Sequence, residues 1–379
     1  MQQTKIMIVA GEASGDIHGA HLIQALKELR PDLAVFGMGG KYLEAEGVEM
    51  LCDASKLAVV GIFEVLGHLS EIRSAMQSLE KRLREDPPQI LILIDYPDFN
   101  LMLAKKAKAY GIPVFYYISP QVWAWRAGRV KKISRLVDKM AVILPFEKDF
   151  YKARGMDVDF VGHPLMDSVK LTMSREEFCA KNNIMPDATI IGILPGSRRK
   201  EISSMLPVFL ESAKMLSEKR KDIVFLLPLA PTLTMEDLEA NGLSKWDIDI
   251  RVISGDRYEL MASCDAVVAA SGTVTLELAI LNTPMVVAYF VSPITYFLGR
   301  RFITVKYASL VNLVMDSKIV PEFLQDDAVP EKICNGVWKI ISDDKYRTRM
   351  KQFFLDVKDR LGGPGASMRA AQLILRMIA

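Results

Sequence analysis

Short, continuous apolar runs alternate with helix-like segments along the first half of the chain. The runs have the pattern of strands that are buried on both faces of a parallel sheet, and they cover residues 5–10, 34–37, 89–94, 114–118 and 141–144. Between them lie segments of helical character at residues 20–29, 41–46, 57–79, 99–110 and 146–154. Repeats of this kind predict a Rossmann-like α/β domain.

The same alternation starts again after the polar segment at residues 174–187. Its apolar runs begin at residue 190 and continue at 223–229, 250–253, 266–270 and 285–290. A chain of 379 residues is also too long for one ordinary core, which favours two domains. We therefore expect two Rossmann-like domains that face a central cleft. The first is predicted at 1–165, together with a C-terminal helix at 366–379 that returns to it, and the second at 166–365.

A turn of sequence PGSR follows the apolar run that opens the second half, and a polar, helix-capable segment follows the turn. Backbone N–H groups and the positive end of a helix dipole make such a strand–turn–helix junction a site for phosphate. Gly196, Ser197 and Arg198 are the residues that this turn offers to an anion.

A second junction of this kind lies in AASGTVTLELA, residues 269–279. Ser271, Gly272 and Thr273 form its turn, whose N–H groups and hydroxyls suit a diphosphate. Glu277, one helical turn later, is placed to accept hydrogen bonds from ribose hydroxyls. The SGT turn is a weak signal alone, but together with PGSR in the same predicted domain it indicates a nucleotide site.

The first predicted strand ends in GEASGD, residues 11–16. Its small residues permit a tight strand-to-helix turn, but the spacing of a GxGxxG dinucleotide fingerprint is absent. Ser14 and Asp16 are typical helix caps, so a turn without any further role is one interpretation. Glu12, Ser14 and Asp16 also lie where α/β sheets bind ligands, and we count them as candidate substrate-binding residues.

Two carboxylates follow the buried run at 89–94, in the segment DYPDFN. Carboxylates at the end of a central strand are costly unless they are paired or used. Asp95 comes first after the strand, where a general base that takes a proton from an attacking hydroxyl is expected. Asp98 follows a proline, so a turn and helix N-cap is a stronger alternative for it than for Asp95. Asp95 is thus the catalytic candidate, and Asp98 and Asn100 are candidate substrate contacts.

Two further segments leave alternatives open. SPQVWAWRAGRVKKI, residues 119–133, interleaves tryptophans with Arg126, Arg129 and two lysines. Nucleic acid is one interpretation, although no recognised motif accompanies it, and a phosphorylated substrate or lipid headgroups are the other. His163 precedes a proline in a predicted connection at 159–167, where an ordinary structural histidine is favoured over a catalytic one.

The predicted helix at 57–79 has an unusually apolar start, VVGIFEVLG. Its apolar residues with helical spacing include Ile62, Phe63, Val65, Leu66 and Leu69. Periodicity alone favours a core-facing helix, whereas an exposed face would dock on a membrane or bind acyl chains. Residues 292–306 pose the same choice, because their aromatic and basic side chains suit either an anionic bilayer or a packed helix with a solvated edge.

Composition narrows the classes of protein. The net charge is only +2, but basic clusters occur at 126–132, 198–200 and 300–306. The four cysteines are widely spaced without a CxxC pair, so we expect a reducing cytosol and no structural metal. The N-terminal apolar run is too short for a signal peptide, and no run has the length of a bilayer span. We expect a soluble protein, or at most a peripheral one.

The motifs GEASGD, IDYPDFN, SPQVWAWR, GHP, LPGSR and ASGT, with the glutamate that follows ASGT, occur in this order across nearly the whole chain. In these motifs the sequence resembles the lipid A disaccharide synthases, which are GT-B glycosyltransferases. The resemblance implies transfer of 2,3-diacylglucosamine from its UDP derivative to the 6-hydroxyl of 2,3-diacylglucosamine 1-phosphate. The products would be the β-1,6-linked disaccharide 1-phosphate and UDP.

The resemblance also implies partners. These are the acylated glucosamine substrates and the cytoplasmic face of the inner membrane, with which the protein would associate peripherally, and no nucleic acid is among them. The protein would be a monomer or a homodimer. Acylated substrates also shift the preference for VVGIFEVLG towards an exposed, lipid-facing surface.

With this chemistry, Asp95 is the expected base, and Arg198 with Ser197 would stabilise the departing diphosphate. Asn312 would complete the nucleotide site, in an SLVNL segment that is similar to the family's SLPNL, with Val311 in place of the proline. No DxD-type motif lies beside these elements, so we expect neither a metal nor another cofactor.

Three rival functions share part of the pattern. A UDP-sugar epimerase, or another GT-B transferase acting on a soluble sugar, would share the nucleotide motifs but not the lipid-facing helix. A two-domain solute-binding protein would usually carry an export signal. A nucleic-acid binder would show an affinity that falls steeply with salt.

Overall fold

The computed structural model describes residues 3–54, 69–291 and 305–378. Contacts divide the chain into two units, which we call unit 1 (Met1–Met166 with Leu361–Ala379) and unit 2 (Asp167–Arg360). The chain therefore leaves unit 1 after residue 166 and returns to it at residue 361. The sequence prediction differs at residue 166 and at residues 361–365, which it places in the second domain.

Strands are short and evenly distributed between the two units. In chain order they are β1 (Thr4–Ala10), β2 (Leu33–Gly39), β3 (Glu49–Asp53), β4 (Ile90–Ile94), β5 (Val114–Tyr117), β6 (Lys139–Val142), β7 (Asp159–Phe160), β8 (Thr189–Leu194), β9 (Ile223–Leu229), β10 (Ile250–Ser254), β11 (Ala266–Ala270), β12 (Met285–Tyr289) and β13 (Glu322–Leu324).

Helices separate most of these strands. In chain order they are α1 (Ala13–Leu29), α2 (Lys41–Ala45), α3 (Leu69–Glu85), α4 (Pro97–Ala109), α5 (Val122–Trp125), α6 (Val130–Leu136), α7 (Pro145–Lys152), α8 (Leu165–Ser168), α9 (Arg175–Lys181), α10 (Arg199–Lys219), α11 (Met235–Glu239), α12 (Arg257–Ser263), α13 (Val274–Ile280), α14 (Leu310–Met315), α15 (Pro330–Ser342), α16 (Asp344–Arg360) and α17 (Ala366–Met377). Single 3₁₀ turns lie at Ala127–Arg129, Leu243–Lys245 and Gln325–Asp327.

Each unit contains one parallel sheet. The strand order is β3-β2-β1-β4-β5-β6-β7 in unit 1 and β10-β9-β8-β11-β12-β13 in unit 2, and the paired strands run parallel throughout. The repeated strand–helix pattern of the sequence is confirmed as two α/β sheets.

Each face of the unit 1 sheet carries its own apolar cluster, and β1 contributes to both. Met7 and Val9 belong to one cluster, and Ile6 and Ile8 belong to the other. All four side chains are fully buried, and each contributes roughly 1.5–3 kcal/mol by leaving water. Burial on both faces is the physical reason why the strands read as continuous apolar runs.

The strand order reverses between β1 and β4 in unit 1 and between β8 and β11 in unit 2. Open α/β sheets bind ligands at such switch points, outside the carboxyl ends of the strands. GEASGD and DYPDFN follow β1 and β4, whereas PGSR and SGT follow β8 and β11. The four motifs therefore lie in pairs, and each pair stands at the switch point of one unit.

Apart from α15, which has 13 residues and a buried face, the elements that the sequence pattern did not predict are short or half-buried. β3 and β13 have no fully buried residue, and β7 contains two residues inside the predicted connection at 159–167. The N-terminal turns of α1, from Ala13, are polar and small and did not register as helix. The helix predicted at 57–79 is described from Leu69 onward and extends to Glu85.

No helix in the described ranges is long and apolar enough to cross a bilayer. The four cysteines are all unpaired thiols. Burial raises the pKa of each thiol, most strongly at Cys264.

Candidate active site

Asp95 and Tyr96 connect β4 to α4 in a strained turn. Both residues have left-handed backbone, with φ of 43° and 45°, a conformation that costs free energy in residues other than glycine. The buried side chain of Asn100 donates from Nδ2 to the carbonyl oxygens of Ile94 (3.1 Å) and Asp95 (2.7 Å). The Tyr116 hydroxyl donates to the same Asp95 carbonyl. Buried hydrogen bonds thus hold the turn in its strained form.

Asn100 was predicted to contact substrate, and the structure shows that it also has a structural role. The residue is fully buried, and its amide nitrogen is directed at the main chain of the turn. Asn100 therefore positions the Asp95 backbone through Nδ2, and its contact with substrate stays a prediction.

Gly11, directly after β1, lies against the ring of Tyr96. A Cβ atom on Gly11 would be only 2.2 Å from Tyr96 Cδ1, so a larger residue would displace the ring. The Tyr96 ring also packs on Phe99, with 5.5 Å between ring centroids. The glycine that opens GEASGD is required for this close approach to the turn that carries Asp95.

The Asp95 carboxyl has an acid–base character that suits catalysis. Burial first, and then the negative charge of nearby Glu12, raise its pKa to about 6, against a hydrogen bond from the Tyr96 backbone that lowers it. Glu12 is the exposed N-cap residue of α1. The two motifs of unit 1 therefore meet electrostatically, and a carboxyl that titrates near neutral pH is suited to act as a general base.

Asp16, predicted to contact substrate, has a structural role in the fold. Its side chain is buried and accepts three N–H bonds, from Gly40 (2.7 Å) and Leu43 (3.2 Å) at Oδ1 and from Tyr42 (3.0 Å) at Oδ2. These donors begin α2, so Asp16 caps that helix from α1. Ser14, in the first turn of α1, is exposed to solvent.

Asp98 lies in the first turn of α4 and faces the basic segment after β5. Its Oδ1 is 2.7 Å from Arg129 Nη2, and its Oδ2 is 3.8 Å from Arg126 Nη1. The Asp98 side chain is nevertheless 72% exposed. Asp98 thus lies at a helix start, as a structural role requires, and is also accessible to a ligand. Its contact with substrate stays a prediction.

A buried glutamate that the sequence analysis missed organises the loop after β5. Glu147, 1% exposed, accepts bonds at Oε1 from the Ser119 hydroxyl (2.6 Å) and Trp123 Nε1 (3.1 Å). Its Oε2 accepts the N–H groups of Ile143 (3.2 Å) and Leu144 (2.9 Å). Burial raises its pKa to about 7, and the four donors oppose that rise. The signal was the LPFE sequence, with proline and then glutamate in a first helical turn.

His163 is structural in its geometry, as the sequence favoured. It is 4% exposed, and its Nδ1 accepts the N–H of Leu165 at 3.1 Å. Burial, and secondly the neighbouring His18, lower its pKa to about 3. The His163 N–H donates to the Leu361 carbonyl at 2.8 Å, so this residue joins the end of β7 to the point where the chain returns to unit 1.

The PGSR turn of unit 2 already holds an anion, and that anion belongs to the protein. Glu201 Oε2 accepts the N–H groups of Ser197 (2.9 Å) and Arg198 (3.2 Å), while Glu201 Oε1 lies 3.4 Å from Arg198 Nη1. Gly196 has a φ of 119°, and a Cβ there would lie 2.4 Å from Glu201 Oε2. The turn therefore has the anion-binding geometry that the sequence predicts.

The same contact has a consequence for ligands. The Arg198 side chain is 62% exposed and can reach a ligand by turning away from Glu201. A phosphate that used the Ser197 and Arg198 N–H groups would have to replace the Glu201 carboxylate. Sequence analysis missed Glu201, although a glutamate at the third helical position is the usual partner of such a cap.

The SGT turn is more open. The Ser271 hydroxyl donates to the Ala308 carbonyl at 2.8 Å, and a Cβ on Gly272 would meet no atom within 4 Å. Thr273 is the exposed N-cap residue of α13, and its side chain makes no capping bond within the described structure. In contrast to PGSR, the helix start is therefore accessible without displacement of a side chain.

Glu277 lies in the first turn of α13 but is only 5% exposed. Its Oε2 is ion-paired with Arg257 Nη2, and Tyr258 is a further hydrogen-bond partner. Burial raises the pKa of Glu277, and the Arg257 charge opposes that rise. The predicted ribose acceptor is thus part of a charged cluster with Arg257, whose side chain is 52% exposed.

Asn312, assigned to the nucleotide site from the sequence, is a fully buried amide with a structural role. Its Nδ2 donates to the Val320 carbonyl (3.0 Å) and Glu322 Oε1 (2.9 Å). Its Oδ1 accepts the N–H groups of Ile319 (2.8 Å) and Val320 (3.0 Å). All four contacts are within the protein, so the amide positions its own segment.

Glu322 is the second partner of that segment and was missed by sequence reasoning. Its carboxylate accepts the N–H groups of Ala308 (3.1 Å) and Ser309 (2.8 Å) and the Ser309 hydroxyl (2.6 Å). Because Ala308 accepts the Ser271 hydroxyl, Glu322 and Asn312 support the SGT turn indirectly.

Some predicted residues cannot be placed in this way. Ile62, Phe63, Val65 and Leu66, together with residues 292–304, lie outside the described residues, and Leu69 is the first residue of α3. Within the described ranges, no group of three or more histidine, cysteine, aspartate or glutamate side chains is arranged to hold a metal ion.

Several solved structures share this architecture over nearly the whole chain. A UDP-GlcNAc 2-epimerase from Neisseria meningitidis bound to UDP-GlcNAc has a TM-score of 0.70 at 16% identity, covering 98% of this chain and 100% of that one. MurG from Acinetobacter baumannii has a TM-score of 0.59 at 13% identity, covering 98% and 99%. These likenesses concern the fold alone. Two parallel sheets with polar turns at their switch points define an α/β protein of the GT-B class.

Sequence comparison is more specific. The model of the lipid-A-disaccharide synthetase family matches residues 6–374. A lipid-A-disaccharide synthase from Geobacter sulfurreducens is 48% identical over 374 residues, covering 99% of this chain and 97% of the relative. The chain belongs to the lipid-A-disaccharide synthetase family, which confirms the resemblance drawn from its motifs.

Proposed function

We propose that the chain is the inverting glycosyltransferase that forms the lipid A disaccharide. It moves 2,3-diacylglucosamine from its UDP derivative to the 6-hydroxyl of 2,3-diacylglucosamine 1-phosphate and releases UDP. Membership of the family supports the reaction class, and the residues at the two switch points supply groups for both halves of the chemistry.

The observation that carries the mechanism is the placement of Asp95. Its carboxyl stands directly after the central strand β4, on a backbone held by Asn100 and Tyr116, and its pKa is raised to about 6. In the ionised form it accepts the proton of the acceptor 6-hydroxyl while that oxygen attacks the anomeric carbon. Glu12, whose charge acts on Asp95, and Ser14 are both exposed and are proposed to contact the acceptor sugar.

The donor is assigned to unit 2. Arg198 and Ser197, with the Gly196 turn, stabilise the negative charge that grows on the UDP diphosphate as the glycosidic bond breaks. Ser271, Gly272 and Thr273 hold the nucleotide at the open start of α13. Glu277, held by Arg257, is proposed to receive the ribose hydroxyls.

Substitution of the base tests this mechanism. Asp95→Asn should lower kcat by about 10²–10⁴-fold, because the amide cannot accept the proton, while UDP affinity by calorimetry stays unchanged. The exposed Asp157→Asn of unit 1 is the matched control and should retain full turnover. Near-normal turnover of Asp95→Asn would remove Asp95 from the mechanism.

The alternative, an epimerase or a transferase of a soluble sugar, rests on fold likeness alone, since the epimerase structure shares only 16% of its sequence with this chain. Family membership does not favour it. Incubation with UDP-diacylglucosamine and the monosaccharide phosphate separates the functions, because only the synthase yields a product with the mass of the disaccharide 1-phosphate.

We also propose that the reaction needs no metal or other cofactor. The support is the absence of a DxD-type motif from the sequence beside the nucleotide motifs, and the guanidinium of Arg198 supplies the positive charge instead. Turnover after exhaustive chelation with EDTA should equal that of the untreated protein. A loss that added Mg²⁺ restores would contradict this proposal.

Peripheral binding to the cytoplasmic face of the inner membrane is the proposed location, as a monomer or a homodimer and without nucleic acid. Acylated substrates lie in that bilayer, and the VVGIFEVLG segment has the apolar composition to dock on it. Changing Phe63, Leu66 and Leu69 together to Ser should reduce binding to anionic phospholipid vesicles and improve solubility. If vesicle binding persists and solubility stays the same, the segment is not the docking face.

A further inference from the structure

Two arginines converge on one exposed carboxylate beside the proposed base. Arg129 Nη2 is 2.7 Å from Asp98 Oδ1, and Arg126 Nη1 is 3.8 Å from Asp98 Oδ2. We call Arg126 and Arg129 the arginine pair. Two guanidinium groups on opposite oxygens of one carboxylate have the donor geometry that also binds the oxygens of a phosphate.

The fold itself gains little from this contact. The Asp98 side chain is 72% exposed, and those of Arg126 and Arg129 are 40% and 28% exposed. Exposed ion pairs of this kind contribute little to stability. The arginine pair is therefore accessible to a ligand, and a doubly charged phosphate would compete well with a single carboxylate.

The backbone and a stacked ring hold the pair in place. The Arg129 N–H donates to the Arg126 carbonyl at 2.9 Å within a 3₁₀ turn. The Arg126 guanidinium carbon lies 4.0 Å from the centre of the Trp125 ring, which is 47% exposed. At the base of the loop, Trp123 is anchored to the buried Glu147. Little side-chain freedom would be lost when an anion binds.

The position of the pair relates it to the acceptor. β4 and β5 are neighbouring strands, and the turn with Asp95 and the loop with the arginine pair follow their carboxyl ends. Asp95 and Asp98 are three residues apart, so their Cα atoms are separated by at most about 10 Å. In a glucosamine 1-phosphate, C1 with its phosphate and C5 with its 6-hydroxymethyl group flank the same ring oxygen. One acceptor molecule could therefore place its 6-hydroxyl at Asp95 and its phosphate near Asp98.

We propose that Arg126 and Arg129 form a phosphomonoester site that binds the anomeric phosphate of the acceptor and displaces Asp98. This inference rests on the proposed function. Asp98 then acts as an internal occupant that keeps the two guanidinium groups together when no acceptor is bound. The site makes the phosphate a recognition element and orients the 6-hydroxyl towards Asp95.

Paired acceptors test the site. Steady-state kinetics are measured with 2,3-diacylglucosamine 1-phosphate and with the same diacylated sugar as its phosphate-free methyl glycoside. Arg129→Ala and Arg126→Ala should each raise KM for the phosphorylated acceptor about 10- to 100-fold and leave KM for the phosphate-free acceptor unchanged. Asp98→Asn should lower KM for the phosphorylated acceptor, because the competing charge is removed. Equal effects on both acceptors would overturn the proposal.

Controls keep the result specific. Lys131 and Lys132 are exposed on the same segment, and changing both to Ala should leave both KM values unchanged. If KM for the phosphorylated acceptor rose as much as in the arginine variants, the effect would come from non-specific positive charge, and the site would be overturned. Arg129→Lys keeps the charge but not the fork and should give an intermediate KM. Thermal unfolding and UDP affinity equal to wild type show that each variant is folded.

Two further readouts separate other outcomes. Loss of binding to anionic phospholipid vesicles with unchanged KM values would assign the pair to lipid headgroups and overturn an acceptor site. If the wild-type protein forms no disaccharide from either acceptor, the proposed function fails. If it forms disaccharide equally well from both, only the phosphate site fails.

Discussion

At the scale of single residues, the raised pKa of Asp95 links catalysis to pH. A base must be ionised to accept a proton, and this carboxyl ionises around pH 6 because of burial and the charge of Glu12. We therefore expect kcat/KM to rise with pH up to about 6 and to level off above it. A pH–rate profile between pH 5 and 8 measures this, and a rate that is constant down to pH 5 would contradict the assignment. Glu12→Gln should move the midpoint to lower pH, since it removes a like charge.

The same carboxyl should weaken the fold when it is charged. Its pKa in the folded state is above its ordinary value of 3.8, so its favourable contribution to stability is complete below that value and is lost as pH rises from there through about 6. At pH 8, Asp95→Asn should therefore stabilise unit 1 by about 1–2 kcal/mol, after allowance for solvent at this half-buried site. Urea unfolding should give a larger gain at pH 8 than at pH 5, and none at about pH 3, where the carboxyl is protonated in both the folded and the unfolded state.

Glu201 allows a prediction in which two effects have opposite signs. Glu201→Ala removes the cap of α10, which should cost about 1 kcal/mol in unfolding free energy. It also frees the Ser197 and Arg198 N–H groups that the carboxylate occupies, so UDP should bind more tightly. Calorimetry and thermal unfolding measure the two effects, and the exposed Glu211→Ala on the same helix is the control. Weaker UDP binding would mean that Glu201 shapes the turn for the ligand.

At the scale of elements, Glu147 links the loop after β5 to the start of α7. Glu147→Gln would point amide hydrogens at the N–H groups of Ile143 and Leu144, or leave Ser119 and Trp123 without their acceptor. We expect a loss of about 1–3 kcal/mol in the stability of unit 1. In the wild type, the pKa of Glu147 is raised from 4.5 to about 7, so stability falls as pH rises from 4.5 through about 7. The variant should lack this pH dependence.

Urea unfolding of both proteins between pH 5 and 8 checks this, with the exposed Asp149→Asn of the same helix as a control that should match wild type. A Gln variant as stable as the wild type at every pH would show that the four hydrogen bonds do not anchor the loop.

The elements that sequence could predict are those with one dominant physical cause. Strands such as β4 appear in the sequence as uninterrupted apolar runs, because both faces of the sheet are buried. The turns after β1, β4, β8 and β11 were predicted because small and polar residues interrupt the apolar pattern there. β13 was not predicted, because its three half-buried residues do not form an apolar run.

The partners of the site residues were harder to predict. Glu147 and Glu201 show only a local capping signal in the sequence, and Glu322 shows none. Only the fold brings Glu147 to Ser119 or Glu322 to Ala308. The structural roles of Asn100 and Asn312 were equally hidden. Amides near a ligand motif suggested binding, whereas the fold shows that both are buried and hydrogen-bonded to the main chain. Sequence therefore located the switch points, and tertiary contacts decided which side chains remain accessible there.

At the scale of the whole molecule, a substitution in α17 should destabilise unit 1 without affecting the donor residues of unit 2. Ile374 is fully buried in the cluster that also contains Leu22 and Ile23 of α1, so Ile374→Ala should cost unit 1 about 2–5 kcal/mol. The proposed donor residues are in unit 2, so UDP affinity should persist. Limited proteolysis and calorimetry measure the two outcomes, with the exposed Gln372→Ala as control. Equal loss of UDP binding would show that the units do not respond independently.

The return of α17 to unit 1 also sets an order of events during synthesis. The ribosome makes residues 1–166 first, but Ala370 and Ala371 of the same apolar cluster come only after all of unit 2, residues 167–360. At about 5–20 residues per second, that segment takes roughly 10–40 s to translate. The unit whose synthesis begins first is thus completed last. The apolar face of α1 that packs against α17 stays exposed while unit 2 is made. We therefore expect chaperones to bind the nascent chain at that stage.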